Sequence, residues 1–131
     1  MHATRLIEDM EYNVKSIRPF IGAKNFKLSG SFYRDLGFTE IGLGPKMSLF
    51  QNKAVGFYLQ DYFVEDWVGN TMVFLEVERL DEVYHDFLAL DLTAKYPGAK
   101  LIPIREEDWG REFFLIDPSG ILWHFGAFKN S

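Results

Sequence analysis

The sequence predicts an α+β domain made of two βαβββ repeats that form a curled, mostly antiparallel mixed sheet around a cleft. Three observations predict it. Short apolar runs bounded by turn residues read as strands throughout the chain. Two apolar stripes at helical spacing interrupt them. The order strand, helix, strand, strand, strand then occurs twice, with halves at 15–61 and 71–128 of one domain, 15–128.

The elements follow in order. Residues 1–14 read as a polar leader, with a short amphipathic turn around Leu6, Ile7 and Met10. Residues 16–23 form the first strand, and Pro19 suits a sheet edge or a strand beginning because it has no N–H to donate. Asn25 is placed to cap a helix over 26–36, on which Leu28, Phe32, Tyr33 and Leu36 share a face, and Gly37 supplies its stop. Strands are expected at 38–44, 46–52 and 54–61, with a tight turn at Asn52-Lys53. Residues 62–70 connect the halves, and Trp67 there is a candidate lid or interface aromatic. The second half has a strand at 71–77 and a helix bearing Leu80, Val83, Tyr84, Phe87 and Leu88. Strands at 100–104, 111–116 and 121–128 complete it. Arg105 to Asp108 reads as a solvated loop.

Composition narrows the function classes. Hydrophobic residues make up 47% of the 131, including 13 Phe, 6 Tyr and 3 Trp, which is ample for one core. The net charge is −5 with no Lys/Arg cluster, so nucleic acid is not an expected partner. No apolar run reaches the ~20 residues of a membrane helix. The first residues include acids and no apolar stretch, so no secretory signal is expected and the cytoplasm is the default compartment. With no cysteine, disulfides and thiolate metal sites are excluded.

Two motifs carry a resemblance. Residues 31–38 read SFYRDLGF, and residues 109–120 read WGREFFLIDPSG. They resemble the end of the first helix and the final hairpin of the vicinal-oxygen-chelate family, which includes glyoxalase I, bleomycin-resistance proteins and extradiol dioxygenases. The resemblance spans about residues 16–128. It implies the paired βαβββ fold, a cleft, and a homodimer. The family's enzymes hold a divalent metal with four strand side chains, and the resemblance sets those positions at Arg18, Tyr58, Met72 and His124. Arg18 stays protonated and cannot ligate. Met72 is too soft for an oxygen-rich site. Tyr58 is an uncommon ligand, which leaves His124. No cofactor is therefore expected.

The same positions describe an organic-ligand pocket instead. Arg18 suits a carboxylate or phosphate. Tyr58 and His124 offer hydrogen bonds, Met72 and Phe74 an adaptable apolar wall, and Glu76 lies two residues further along that face. In the last hairpin, Gly120 is positioned for a three-residue loop with a bulge. That register puts Phe114 opposite His124, with Glu112 on the same face and within reach of His124 or Arg18. The leading expectation is a metal-free binding protein for a small organic molecule, anionic or aromatic. The alternatives are a metal-dependent lyase or dioxygenase with an atypical ligand set, and a metal-free acid/base enzyme using His124 and Glu112.

Overall fold

The computed structural model describes residues 10–129; the turn expected around Leu6 and Ile7 lies outside them. Residues 10–19 run without regular structure, so the first strand is shorter than expected: β1 is Phe20–Gly22. It begins directly after Pro19, whose carbonyl accepts from the Tyr58 amide (2.9 Å).

Helix α1 is Phe26–Asp35. The Asn25 side chain accepts from the Leu28 amide (3.1 Å), satisfying a first-turn donor. At the other end Gly37 takes φ +102°. The Gly37 amide bonds to Arg34 (3.0 Å) and the Phe38 amide to Tyr33 (3.1 Å), the paired bonds of a Schellman stop. The Phe38 ring then packs on Tyr33, 6.1 Å between centroids, as that motif favours.

Strands β2 (Thr39–Gly42), β3 (Met47–Asn52) and β4 (Val55–Gln60) complete the first half. The β3–β4 turn falls on Lys53 and Ala54, one residue later than the sequence suggests, because Asn52 stays in the ladder opposite Val55. The Asn52 side chain donates from Nδ2 to the Gly37 carbonyl (3.4 Å), and Lys53 takes the positive φ. The connection holds a short helix the spacing did not reveal, α2 (Glu65–Gly69), which is too short to show a periodicity.

The second half runs β5 (Met72–Glu76), α3 (Leu80–Ala89), α4 (Leu92–Lys95), β6 (Lys100–Glu107), β7 (Gly110–Ile116) and β8 (Leu122–Phe128). Helix α4, a single turn, was also not evident. Residues 105–107 are strand rather than loop: β6 continues through a bulge between Ile102 and Arg105, around Pro103. Arg105 then sits opposite Glu112 and Glu106 opposite Arg111, opposite-charge pairs that favour the ladder.

Each half carries a four-stranded sheet, ordered β1-β4-β3-β2 and β5-β8-β7-β6. In both, the first strand pairs parallel with the last and the other pairs are antiparallel. Helix α1 packs on β2 and β4, and α3 on β6, β7 and β8. Tyr33 stands at the centre of the shared core. Phe32, Phe38, Phe50, Phe57 and Trp123 surround its ring at 4.8–6.1 Å.

A buried polar network ties the halves together. The Tyr33 hydroxyl donates to Asp117 Oδ2 (2.6 Å) and accepts from Trp123 Nε1 (2.9 Å). Asp117 Oδ1 accepts from the amides of Ser119, Gly120 and Ile121 at 2.8–2.9 Å. Burial raises the Asp117 carboxyl above its ordinary range, and the bonds from Tyr33 and the amides oppose that rise. Burial and the neighbouring Asp117 charge push the Tyr33 phenol well up.

Asp117→Ala leaves three amides and the phenol without their acceptor, and should lower unfolding free energy by roughly 3–5 kcal/mol. Chemical denaturation checks this. Because the folded-state carboxyl is raised, its stabilisation is complete below the ordinary carboxylate range and declines as pH rises through the raised value. The stability advantage of the native chain over Asp117→Asn should therefore widen as pH falls. A gap independent of pH would contradict it.

Candidate functional site

Strand alternation decides which side chains face away from the helices. Phe57 and Leu59 are buried, which turns Gly56, Tyr58 and Gln60 to the opposite face of the first sheet. In the second sheet Phe113, Leu115, Trp123 and Phe125 are buried, and Glu112, Phe114 and His124 take the other face. Met72, Phe74 and Glu76 follow on β5. The hairpin register is the bulged one: Phe114 lies opposite His124, and Gly120 has φ +105°.

The predicted residues gather in two groups. On the first sheet Arg18 Nη1 donates to the Tyr58 hydroxyl (3.1 Å), and the Tyr58 ring packs against Phe20 at 4.9 Å. Arg18 is half-buried and forms no ion pair among the described residues, neither with Glu76 nor with Glu112. On the second sheet Glu112 Oε1 meets His124 Nδ1 at 2.9 Å, and that carboxylate is 6% exposed. The imidazole lies 4.9 Å from the Phe114 ring and 6.3 Å from Phe74. Met72, 65% exposed, lies on the same face beside Leu122.

A cavity of about 530 Å³ lies along the seam between the sheets. Ile17, Pro19 and Gly56 form one wall and Phe74 and Glu76 the other, with Phe38 and Trp123 as its floor. Arg18 stands beside Gly56; a β-carbon there would approach Arg18 Nε to 3.6 Å. Of the predicted residues Phe74 and Glu76 line the cavity, and the Arg18 guanidinium stands next to the lining residue Gly56.

Three contributors escaped the sequence reading. Trp109 and Phe128 join Phe74 in an aromatic cluster, with centroid separations of 5.2–5.9 Å. Phe128 follows His124 at even spacing, a signal that could have placed it on the open face. Gly126, between them, leaves room for the Phe74 ring, since a β-carbon there would meet Phe74 Cζ at 2.6 Å. Trp67, half-buried, lies on α2. Its ring packs over Gly22, where a β-carbon would come within 2.5 Å, and 6.0 Å from Tyr62.

The donor set does not fit a divalent metal. Arg18 spends a proton on Tyr58, Met72 offers a thioether, and no three His, Cys, Asp or Glu side chains converge among the described residues.

Comparison with solved structures is decisive for the fold. A bleomycin-binding protein complexed with bleomycin superposes at TM-score 0.76 and 17% identity, over 88% of this chain and 100% of that one. The chain has the glyoxalase/bleomycin-resistance fold. The bleomycin-binding protein of Streptomyces verticillus matches at TM-score 0.76 and 21% identity, over 91% of this chain and 100% of its own. A lactoylglutathione lyase from Agrobacterium tumefaciens matches at 0.67 and 16%, over 88% and 95%. Neither the models of protein families nor the curated protein sequences give a match.

Gly126→Ala should displace the Phe74 ring and destabilise the fold by roughly 1–3 kcal/mol through overpacking. Thermal unfolding reads the loss, and indole resonance shifts at Trp109 read the displacement. Unchanged values for both would show the ring does not depend on the glycine.

Proposed function

We propose that this chain is a small-molecule binding protein whose seam cavity takes a compact organic ligand, aromatic in body and anionic at one end, without a metal. One observation carries the reading: a half-buried Arg18, without a carboxylate partner among the described residues, stands against Gly56 in the wall of a ligand-sized cavity faced by Phe74. A guanidinium on a partly desolvated, apolar-walled site favours a bidentate anion. Tyr58 holds the guanidinium in place, and Phe74, backed by Trp109 and Phe128, offers ring surface for the body of the ligand. Structural neighbours that support the reading include the bleomycin-binding proteins and an antibiotic-binding protein, TnmS3, from a Streptomyces species (TM-score 0.70, 15% identity, 91% of this chain and 100% of that one).

The working form is a cytoplasmic homodimer. What supports a second copy is the apolar surface left on the open faces: Ile41, Leu43, Met72 and Phe128 are each 45–65% exposed. No helix among the described residues is long and apolar enough to cross a membrane.

A second reading rests on the Glu112–His124 pair. With Nδ1 engaged by the carboxylate, Nε2 is the nitrogen left to exchange a proton with a bound molecule. His124→Gln would then abolish turnover of a ligand while leaving its binding intact.

The main reading is tested with 2-naphthalenesulfonate by calorimetry. Arg18→Ala should weaken its binding roughly 10- to 100-fold, the worth of a charge-assisted hydrogen bond. Equal affinity of the native chain and the variant would overturn the assignment of Arg18.

A further inference from the structure

A second cavity of about 430 Å³ lies on the helix side of the same seam. It opens between the C-terminal end of α1 and the face of α3 that carries Val83, Phe87 and Leu90, and β5 contributes Leu75 and Val77. Its size falls within the range of small-molecule sites, ~300–1,000 Å³. Both halves build it, so it exists only in the folded domain.

Its charged lining is acidic. Among the described residues no Lys, Arg or His lines it, and the charged ones that do are Asp35 and Asp86. Asp35 is already engaged: it accepts the Tyr96 hydroxyl (2.5 Å) and lies 4.0 Å from Lys95. Asp86 has no hydrogen-bond or ion-pair partner among the described residues. A carboxylate without a counter-ion at the rim of an apolar pocket attracts an organic cation more strongly than one in open water.

We propose that this helix-side cavity is a separate binding site for hydrophobic amines, with the ammonium group at Asp86 and the hydrocarbon body against Leu36, Val83 and Leu90. It stands independently of the ligand assigned to the Arg18 cavity. The two sites nevertheless share one wall, because Phe38, Val55 and Leu75 line both. Close-packed side chains transmit displacement, so a bulky occupant of one site alters the shape of the other.

The test is an NMR titration of the full chain with 2-naphthylmethylamine, run beside its anionic counterpart 2-naphthoate. The amine should shift the amides of Leu36, Val83 and Leu90 and bind more tightly than the naphthoate does at those residues. Asp86→Asn should weaken the amine roughly two- to fivefold, the worth of one exposed ion pair, while Arg18→Ala leaves it unchanged. Val83→Trp should fill the cavity and remove binding. Should that variant not fold, the exposed Asp86→Asn substitution still decides the matter. Shifts centred on Phe74 and Glu76, equal affinity for Asp86→Asn, or no shift at millimolar amine would each overturn the proposal.

Discussion

The hydrogen bonds that meet at Asp117 set the geometry on which everything else depends. Asp117 directly follows β7, Trp123 lies on β8, and Tyr33 belongs to α1 of the other half. One carboxylate oxygen folds the turn by accepting three amides, and the other fixes the phenol. Tyr33, Trp123 and Ile121 are buried, so displacing one of them would leave a donor or acceptor unmet in an apolar setting, a cost of roughly 1–3 kcal/mol per group. The orientation of α1 on the final hairpin is therefore tightly specified. Ser119 reinforces it, accepting from the Lys24 amide and bonding to Ser29.

That junction lies on the helix side of the core, and its position explains where the molecule is open. The halves are joined by Tyr33, Asp117 and Trp123, and by Tyr96 with Ser31 and Asp35. The sheets themselves are not joined by hydrogen bonds along β1 and β5. β1 is three residues long and pairs only with the far end of β4, which leaves Val55–Phe57 without a neighbour on that side. Space remains at the seam, and Phe38, Val55 and Leu75 divide it into two cavities.

Much of this was legible because the signals are local. Period-two alternation placed Glu112, Phe114 and His124 on one face, and the glycine at position 120 fixed the register that brings Glu112 to His124. Asn25 and Gly37 set both ends of α1 through their own backbone chemistry. Other features depend on tertiary packing and left little trace. Helix α2 forms because Val68 is buried and Trp67 covers Gly22, not because five residues have a helical period. The run Arg105–Glu107 looked like a loop from its charge. It is a strand because it pairs with β7 beyond the bulge, and that pairing follows only once the hairpin is closed. The cavity volumes depend on how far apart the sheets stand, a distance that no local pattern encodes.

The division of labour between faces bears on what the fold can tolerate. The residues of the two motifs, Tyr33 and Asp117 above all, point into the core and hold the halves together. The side chains on the open face lie on the same strands but on the other side of the pleat, so they can change without disturbing that junction. Arg18, Tyr58, Met72 and His124 occupy this freer side. None of them takes part in the Asp117 network, and each has its own partner or exposure. A fold secured from its helix side leaves the chemistry of its cleft to be set by a handful of substitutions. Here that face carries a guanidinium held by a phenol and an imidazole held by a buried carboxylate.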